Sequence, residues 1–317
     1  MRFALSASTW FMTAGLVALS LWSLMGSVTW TGEVVADYRW HLGWVCFLAA
    51  GVASAVRVWG ASILLALVCF LHLRPELLLS LPSSEVHAGG AAFEVATASA
   101  GWGDAGRVGL TDWLEAETPD VAYLCRLDAD MLAALDARED GALHAVWPDR
   151  GTWDADVFGS GLWVASGLDV LEARVDARIS DARVVLGGRE TRVLGFRASR
   201  PSDEEAVERR ARLVTRVAEQ AALQPGVVVL TELNATGYSP ALRSLLGAAD
   251  LTDTRAGFGR QVSWTSDVTP LGFQIAVDHV LIGGALSCLA REHDHRIESD
   301  HQPVLATLAW RTAGPSD

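Results

Sequence analysis

Residues 3–32 carry no Asp, Glu, Lys or Arg, and Arg2 and Glu33 bound the run. About 20 apolar residues carry a helix across a bilayer, so a chain that opens this way is expected to have a membrane part. Trp10–Trp30, with tryptophan at both ends as in an interfacial aromatic belt, predicts a first transmembrane helix. Trp40–Val56 and Val58–Leu81 predict a second and a third, paired as a hairpin turning near Arg57 and Gly60. Arg74, Pro75 and Glu76 interrupt the last one, where long side chains can snorkel to the interface. Residues 1–81 thus read as a membrane anchor with three transmembrane helices. A cleavable signal peptide fits less well, because the first apolar run is long, no clear A-x-A site follows and two more apolar stretches come next. Arg2 and Arg57 oppose Arg39 and Arg74, an even split under the positive-inside rule. With the N-terminus inside, three spans place everything after residue 82 on the extracytoplasmic face.

The rest of the chain is different. The first 89 residues hold four Arg and four acids, leaving 21 basic and 34 acidic residues beyond, so the whole net charge of −13 sits on the soluble part. Such a surface repels phosphate backbones, which argues against strong nucleic-acid affinity. All basic residues are Arg. Four cysteines without C-x-x-C spacing exclude a disulfide framework, while Cys125 and Cys288, each in a strand-like run, leave one pairing open. Residues 82–90 read as a linker, 91–311 as one α/β domain and 312–317 as a tail. Strands are expected at Phe93–Ala98, Val121–Leu124, Gly161–Ala165, Arg183–Leu186, Thr191–Phe196, Val227–Leu230, Val277–Ile282 and Pro303–Ala309. A helix is expected from Ser202, capped by that serine with Glu205 reaching back, and stopped by Pro225-Gly226.

Three segments place acids, an amide and imidazole at strand ends: Thr231-Glu232-Leu233-Asn234-Ala235-Thr236, Val277-Asp278-His279-Val280 and Ser299-Asp300-His301-Gln302-Pro303. Neighbours in a strand point to opposite faces, so an Asp-His step by itself says little about catalysis. His293-Asp294-His295 and Asp154 with Asp156 read as solvated loops rather than sites.

Taken together and in this order, with Trp264 between the first two, the segments resemble the endonuclease/exonuclease/phosphatase superfamily, the DNase I-like metal-dependent phosphoesterases. The resemblance is strongest to a membrane-anchored bacterial branch, and so implies a bacterial inner-membrane protein. It implies a four-layer sandwich, two β-sheets flanked by helices, preceded by the three transmembrane helices, with loops at one edge binding Mg²⁺ or Mn²⁺ and a phosphate ester. Carried over, His301 would stand at the scissile phosphate and Asp278 would orient it. Asp300 would be a metal-side carboxylate, Asn234 an amide donor to phosphate, and Glu232 the group positioning the attacking water beside the metal. Hard cations prefer carboxylate oxygens, and a metal with donors neutralises charge developing on phosphorus.

Four positions depart from the family pattern. Pro119-Asp120-Val121-Ala122-Tyr123-Leu124-Cys125 leads to Arg126 where the family has its metal-binding Glu. Ser99 or a neighbour replaces an Asn, and Leu194-Gly195-Phe196-Arg197-Ala198-Ser199-Arg200 lacks an expected His. Glu232 stands for an Asp one methylene shorter, a displacement of about 1 Å that can cost on the order of 100-fold in rate. Two functional readings follow. One is a membrane-anchored, divalent-metal-dependent phosphoesterase acting on a phosphodiester or phosphomonoester, its substrate a phosphorylated small molecule, a lipid headgroup or a nucleic acid. The other is a catalytically impaired relative that binds a phosphorylated ligand or a partner protein at the membrane, with Arg126 and Arg197 (and Arg200 beside them) neutralising phosphate in place of a metal.

Overall fold

The computed structural model describes residues 2–82, 89–150, 157–176, 178–266, 273–293 and 297–312. Four helices come first: α1 (Arg2–Ser23), α2 (Trp30–Asp37), α3 (Arg39–Ala55) and α4 (Trp59–Leu78). The first apolar run is therefore two helices, not one Trp10–Trp30 span. The chain turns around Gly26, and Thr29 caps α2 by accepting a hydrogen bond from the Gly32 N–H at 3.1 Å. Two helices, Phe3–Ser23 and Trp59–Leu78, have the length and apolarity of a bilayer span; α3, with 17 residues, falls short. Two candidate spans thus stand where the sequence predicts three.

The turn expected near Arg57 is present, with Arg57 itself in the left-handed region (φ 64°). It folds α3 back along α4, and Ser62 Oγ donates to the Ala50 carbonyl at 3.0 Å across the pair. Small residues face each other there, including Cys46, Ala49, Ala53 and Ala61. Hydroxyls inside α1 satisfy themselves on the preceding turn, as Thr13 does on the Thr9 carbonyl at 2.8 Å. Outward, Phe11 is 84 %, Leu48 67 % and Ile63 62 % exposed.

The remaining elements are β1 (Phe93–Ser99), α5 (Gly103–Glu117), β2 (Val121–Leu127), α6 (Ala129–Asp136), β3 (Gly141–Arg150), β4 (Val157–Ala165), β5 (Val170–Asp176), β6 (Ile179–Leu186) and β7 (Arg189–Arg197). They continue with α7 (Glu204–Ala221), β8 (Val227–Glu232), α8 (Pro240–Ala249), β9 (Thr252–Asp253), β10 (Trp264–Thr265), β11 (Gln274–Ile275), β12 (Asp278–Ile282), β13 (Leu286–Glu292) and β14 (Val304–Trp310). Two six-stranded sheets form, β13-β14-β1-β2-β4-β3 and β5-β6-β7-β8-β12-β9. Both are mixed: β1 runs parallel to β2 and β7 to β8, whereas β1 runs antiparallel to β14 and β8 to β12.

Strand alternation explains the layers. Val95, Tyr123, Val193, Val228, Leu230, Val280, Val304 and Leu308 fill the space between the sheets. Ala96, Ala98, Ala122 and Leu124 face outward onto Leu110, Trp113 and Met131 of α5 and α6. On the other side Leu194, Phe196, Val229 and Leu281 receive Val214, Val217, Ala221 and Leu245 of α7 and α8. The expected strands are all present, and β3, β5, β9, β10, β11 and β13 are additional. Asp203, not Ser202, caps α7, accepting from the Ala206 N–H at 2.7 Å while Ser202 donates to Asp203. All four cysteines are free thiols, so Cys125 and Cys288 do not pair. Residues 83–88 of the expected linker and 313–317 of the expected tail lie outside the described residues.

Candidate functional site

The chemistry-bearing residues converge at one edge of the sandwich because the strands of both sheets end there. Glu232 closes β8, and the sheet register sets it opposite Asp278 at the start of β12 and Arg197 at the end of β7. Ser99 closes β1 in the facing sheet. Arg126 comes from a bulge in β2, where the pairing with β4 shifts between Leu124 and Leu127. Its φ of 61° is a left-handed conformation that an L residue adopts at a cost of roughly 1–3 kcal/mol. Asp300 and His301 lie on the segment before β14, where the Ser299 hydroxyl donates to the Ser99 carbonyl at 2.8 Å and accepts from the His301 N–H at 3.1 Å. Glu232, Asn234, Asp278, Asp300, His301, Arg126 and Arg197 are therefore all brought together.

Arg126 lies at the centre of the cluster. Its Nη1 donates to Asp300 Oδ1 at 2.7 Å, its Nη2 donates to His301 Nε2 at 2.7 Å, and the same Nη2 is 3.7 Å from Glu232 Oε1. A guanidinium has no acceptor, so His301 accepts at Nε2 and is the neutral tautomer protonated at Nδ1. That proton is donated to Asp278 Oδ2 at 2.7 Å. The imidazole is thus oriented by a carboxylate as a catalytic histidine would be, but its free lone pair is already taken by Arg126.

Glu232 is equally engaged. It accepts from Ser99 Oγ at 2.7 Å and from Asn234 Nδ2 at 2.9 Å, and it pairs with Arg197 Nε at 3.1 Å. Burial alone would raise its pKa, yet Arg197 and Arg126 hold the carboxyl well below the usual range. Asp300 is likewise held low against its burial, by Arg126, while Trp264 Nε1 donates to its Oδ2 at 2.8 Å. Asn234, left-handed at φ 54°, also gives its amide to the Ala198 carbonyl at 3.0 Å. Arg200, half-exposed, lies 3.8 Å from Asp300.

Glu232, Asp278 and His301 each offer a ligand atom, all within 4.8 Å of one another. Their types and spacing suit a divalent cation; their occupancy does not. The guanidinium of Arg126 already bridges His301 and Asp300, and a metal here would face a fixed positive charge while competing with two hydrogen bonds and two ion pairs at Glu232. The side chains as they stand do not fit Mg²⁺ or Mn²⁺.

A second set of polar residues escapes the sequence reading, which takes nothing from Glu33 and Asp37. Both lie on one face of α2, buried against the domain. Glu33 pairs with Arg210 at 2.6 Å and accepts from Ser239 Oγ at 2.5 Å. Asp37 accepts from the N–H and the hydroxyl of Thr236, both at 2.8 Å. From α4, Glu76 lies 3.5 Å from Arg255, and the His72 carbonyl accepts from the Tyr238 hydroxyl at 2.5 Å. The available signal was two acids four residues apart just after an apolar run, which a helix places side by side. Asp154, Asp156, Asp294 and His295 lie outside the described residues.

No model of a known protein family matches the chain, and no curated protein matches it in sequence. Solved structures do. The human Nocturnin catalytic domain with bound sulfate anion superposes with a TM-score of 0.55 at 10 % identity, covering 71 % of this chain and 97 % of that one. An endonuclease/exonuclease/phosphatase from Bacteroides vulgatus gives 0.54 at 14 % identity, over 70 % of this chain and 100 % of its own. A mannosyl-6-phosphatase from Bacteroides thetaiotaomicron gives 0.51 at 14 % identity, over 69 % and 100 %. At these identities the likeness is one of fold: the chain has the two-sheet α/β architecture of endonuclease/exonuclease/phosphatase proteins.

Proposed function

We propose that this chain is a membrane-anchored protein of phosphoesterase fold whose cation position is held by Arg126, so that it binds a phosphorylated ligand at the membrane instead of hydrolysing one. The observation that carries the reading is the Arg126 guanidinium, 2.7 Å from both Asp300 and His301. A site built to hydrolyse phosphate needs its imidazole nitrogen and its carboxylates open to substrate and metal; here one cation takes the imidazole nitrogen and Asp300 and lies 3.7 Å from Glu232. Two helices support the anchor: α1 and α4 have the length and apolarity of bilayer spans and expose large apolar side chains over a wide surface. α3 returns the chain along α4, which sets α2 and the end of α4 on the same side as the domain. That side is taken as extracytoplasmic, in a bacterial inner membrane.

The retained triad of Glu232, Asp278 and His301 favours a second reading, a metal-dependent phosphoesterase in which Arg126 leaves the site when metal and substrate arrive. The two separate in one assay. The full chain in detergent is offered a generic phosphodiester, a phosphomonoester and DNA with Mg²⁺ or Mn²⁺, beside His301→Ala. Equal and negligible turnover by both proteins is expected. Turnover that is lost in His301→Ala and on adding a chelator overturns the binding reading and establishes the second.

A further inference from the structure

In a chain of net charge −13, one cavity is lined by arginine. Arg178, Arg197, Arg209, Arg210, Arg212 and Arg216 surround a volume of about 270 Å3, with no acidic residue in its wall among the described residues. Arg178 sits at the turn between β5 and β6, Arg197 at the end of β7, and the other four on α7. Arg209, Arg212 and Arg216 follow a spacing of three and four, which puts them on one helix face.

The acidic partners of Arg197, Arg209, Arg210 and Arg212 lie outside the cavity wall. Arg197 and Arg210 are tied inward, to Glu232 at 3.1 Å and to Glu33 at 2.6 Å. Arg209 and Arg212 pair with Glu205 and Glu208, one turn back along the solvent side of α7. Such exposed pairs contribute only about 0.3–0.5 kcal/mol. Arg216 makes no ion pair among the described residues. A cavity of similar size, about 260 Å3, shows the contrast: its arginines are interleaved with Glu172 and Asp181. Like charges gathered around one volume repel, and an anion that accepts hydrogen bonds from the solvent-side guanidiniums of Arg209, Arg212 and Arg216 relieves that repulsion. Carboxylate and phosphate both match the guanidinium fork, and a phosphate monoester, with three acceptor oxygens and nearly two negative charges, engages several arginines at once where a carboxylate engages one or two. The volume lies just under the ~300 Å3 at which small-molecule pockets begin, so it suits a phosphate group on a small substituent, not a polymer.

We propose that this arginine-lined cavity is a binding site for a phosphate monoester, adjoining the cluster around Arg126 through their shared Arg197. The inference deepens the binding reading above and rests on it for one point, the source of the phosphate. Because Arg210 is ion-paired to Glu33 of α2, the cavity lies beside the anchor, where an anionic lipid headgroup and a soluble phosphomonoester are both within reach.

The test uses the full chain, in detergent micelles with inorganic phosphate or glycerol phosphate at constant ionic strength, read by calorimetry. A second arm places it in nanodiscs of phosphatidylcholine with or without phosphatidate, read by melting temperature. The wild type is expected to bind saturably. Arg212→Gln/Arg216→Gln, two exposed positions outside the strand-end cluster, is expected to weaken binding by about tenfold for each guanidinium removed. Arg216→Gln alone serves should the double variant melt abnormally without ligand. A melting temperature raised by phosphatidate in the wild type only identifies a lipid headgroup; binding of glycerol phosphate without that rise identifies a soluble ligand. No binding in either arm, or binding undiminished in the variants, overturns the proposal. Hydrolysis found in the assay of the preceding section removes the reading that Arg126 silences the site and leaves this result standing, so the two fail separately.

Discussion

Arg126→Glu should make the chain unstable without a divalent cation and responsive to one. In the wild type, Arg126 and Arg197 face Glu232, Asp278 and Asp300, two guanidiniums against three carboxylates. The substitution leaves one guanidinium against four carboxylates, most of them buried. Breaking a buried ion pair by removing one partner costs about 3–5 kcal/mol. For a domain of this size each kcal/mol moves the midpoint by about 2–4 °C, so melting should fall by roughly 6 to 20 °C with chelator present. A cation bound by the variant at 100 times its Kd restores about 2.7 kcal/mol, much of that loss. Melting curves of the full chain in detergent, with chelator, Mg²⁺ or Mn²⁺, read the effect directly. The wild type should melt at one temperature in all three. A wild-type midpoint that climbs with Mn²⁺ would refute the argument, since Arg126 would then yield its place to a metal. A variant no better stabilised by Mn²⁺ than the wild type would refute it from the other side, by showing that the carboxylates cannot close on an ion.

The contact between α2 and the domain is expected to depend on pH. Burial pushes the Asp37 carboxyl up to about 6, although Thr236 donates to it twice. Its folded pKa lies above the ordinary 3.8, so its contribution to stability is complete below about pH 4 and lost as pH rises through 6, a change of about 3 kcal/mol. Melting temperature should therefore climb on going from pH 7 to pH 5, and Asp37→Asn should flatten that slope. Glu33→Ala strands the buried guanidinium of Arg210 and should cost about 3–5 kcal/mol, part of which Glu33→Ala/Arg210→Met recovers because no charge is left unpaired. Deleting residues 2–82 hydrates Arg210 and Arg255 instead of stranding them. The core strands β1 and β8 should keep their amide-exchange protection while residues 234–239 lose theirs, and equal protection in both forms would show that the seam holds nothing. Alkylation of Cys125 should require unfolding, since burial raises its thiol pKa well above the ordinary value.

Where residues act through periodicity, the sequence is legible. The inward and outward faces of β1, β2, β7 and β8 follow from alternation alone, and the segments around Glu232, Asp278 and His301 declare themselves because each ends or begins a strand. The first apolar run misleads because hydropathy does not register a turn at Gly26 or a threonine cap at Thr29, and both stay invisible until the backbone is built. Ser202 and Asp203 are nearly equal as caps, and which one acts is decided by the face α7 must turn to the sheet. Arg126 is visible as a departure, but not its destination. A bulge and a left-handed φ aim its side chain into the site, and neither leaves a mark in the residue order. β5, mostly exposed, carries no alternation to find.

The segment from Glu232 to Ser239 joins these observations. Glu232 belongs to the cluster around Arg126, and Asn234 bonds to it while its carbonyl accepts from Arg210 at 2.8 Å. The Ala235 carbonyl faces His279 at 2.8 Å, Thr236 is held by Asp37 and Ser239 by Glu33. Within eight residues the chain passes from the candidate site to the seam with the anchor, and buried polar contacts fix nearly every step. Arg210 carries the same link from outside, since one guanidinium binds the Asn234 carbonyl and Glu33 while it lines the arginine cavity. A tether that only held the domain near a bilayer needs none of this: a flexible linker would do, and buried ion pairs contribute little net stability once desolvation is counted. What such pairs do supply is a fixed register. With α1 and α4 in a bilayer, as proposed, this register would set the orientation of the cavity and of the strand-end cluster relative to the membrane, which a site that reads a ligand at the membrane requires and a diffusing hydrolase does not.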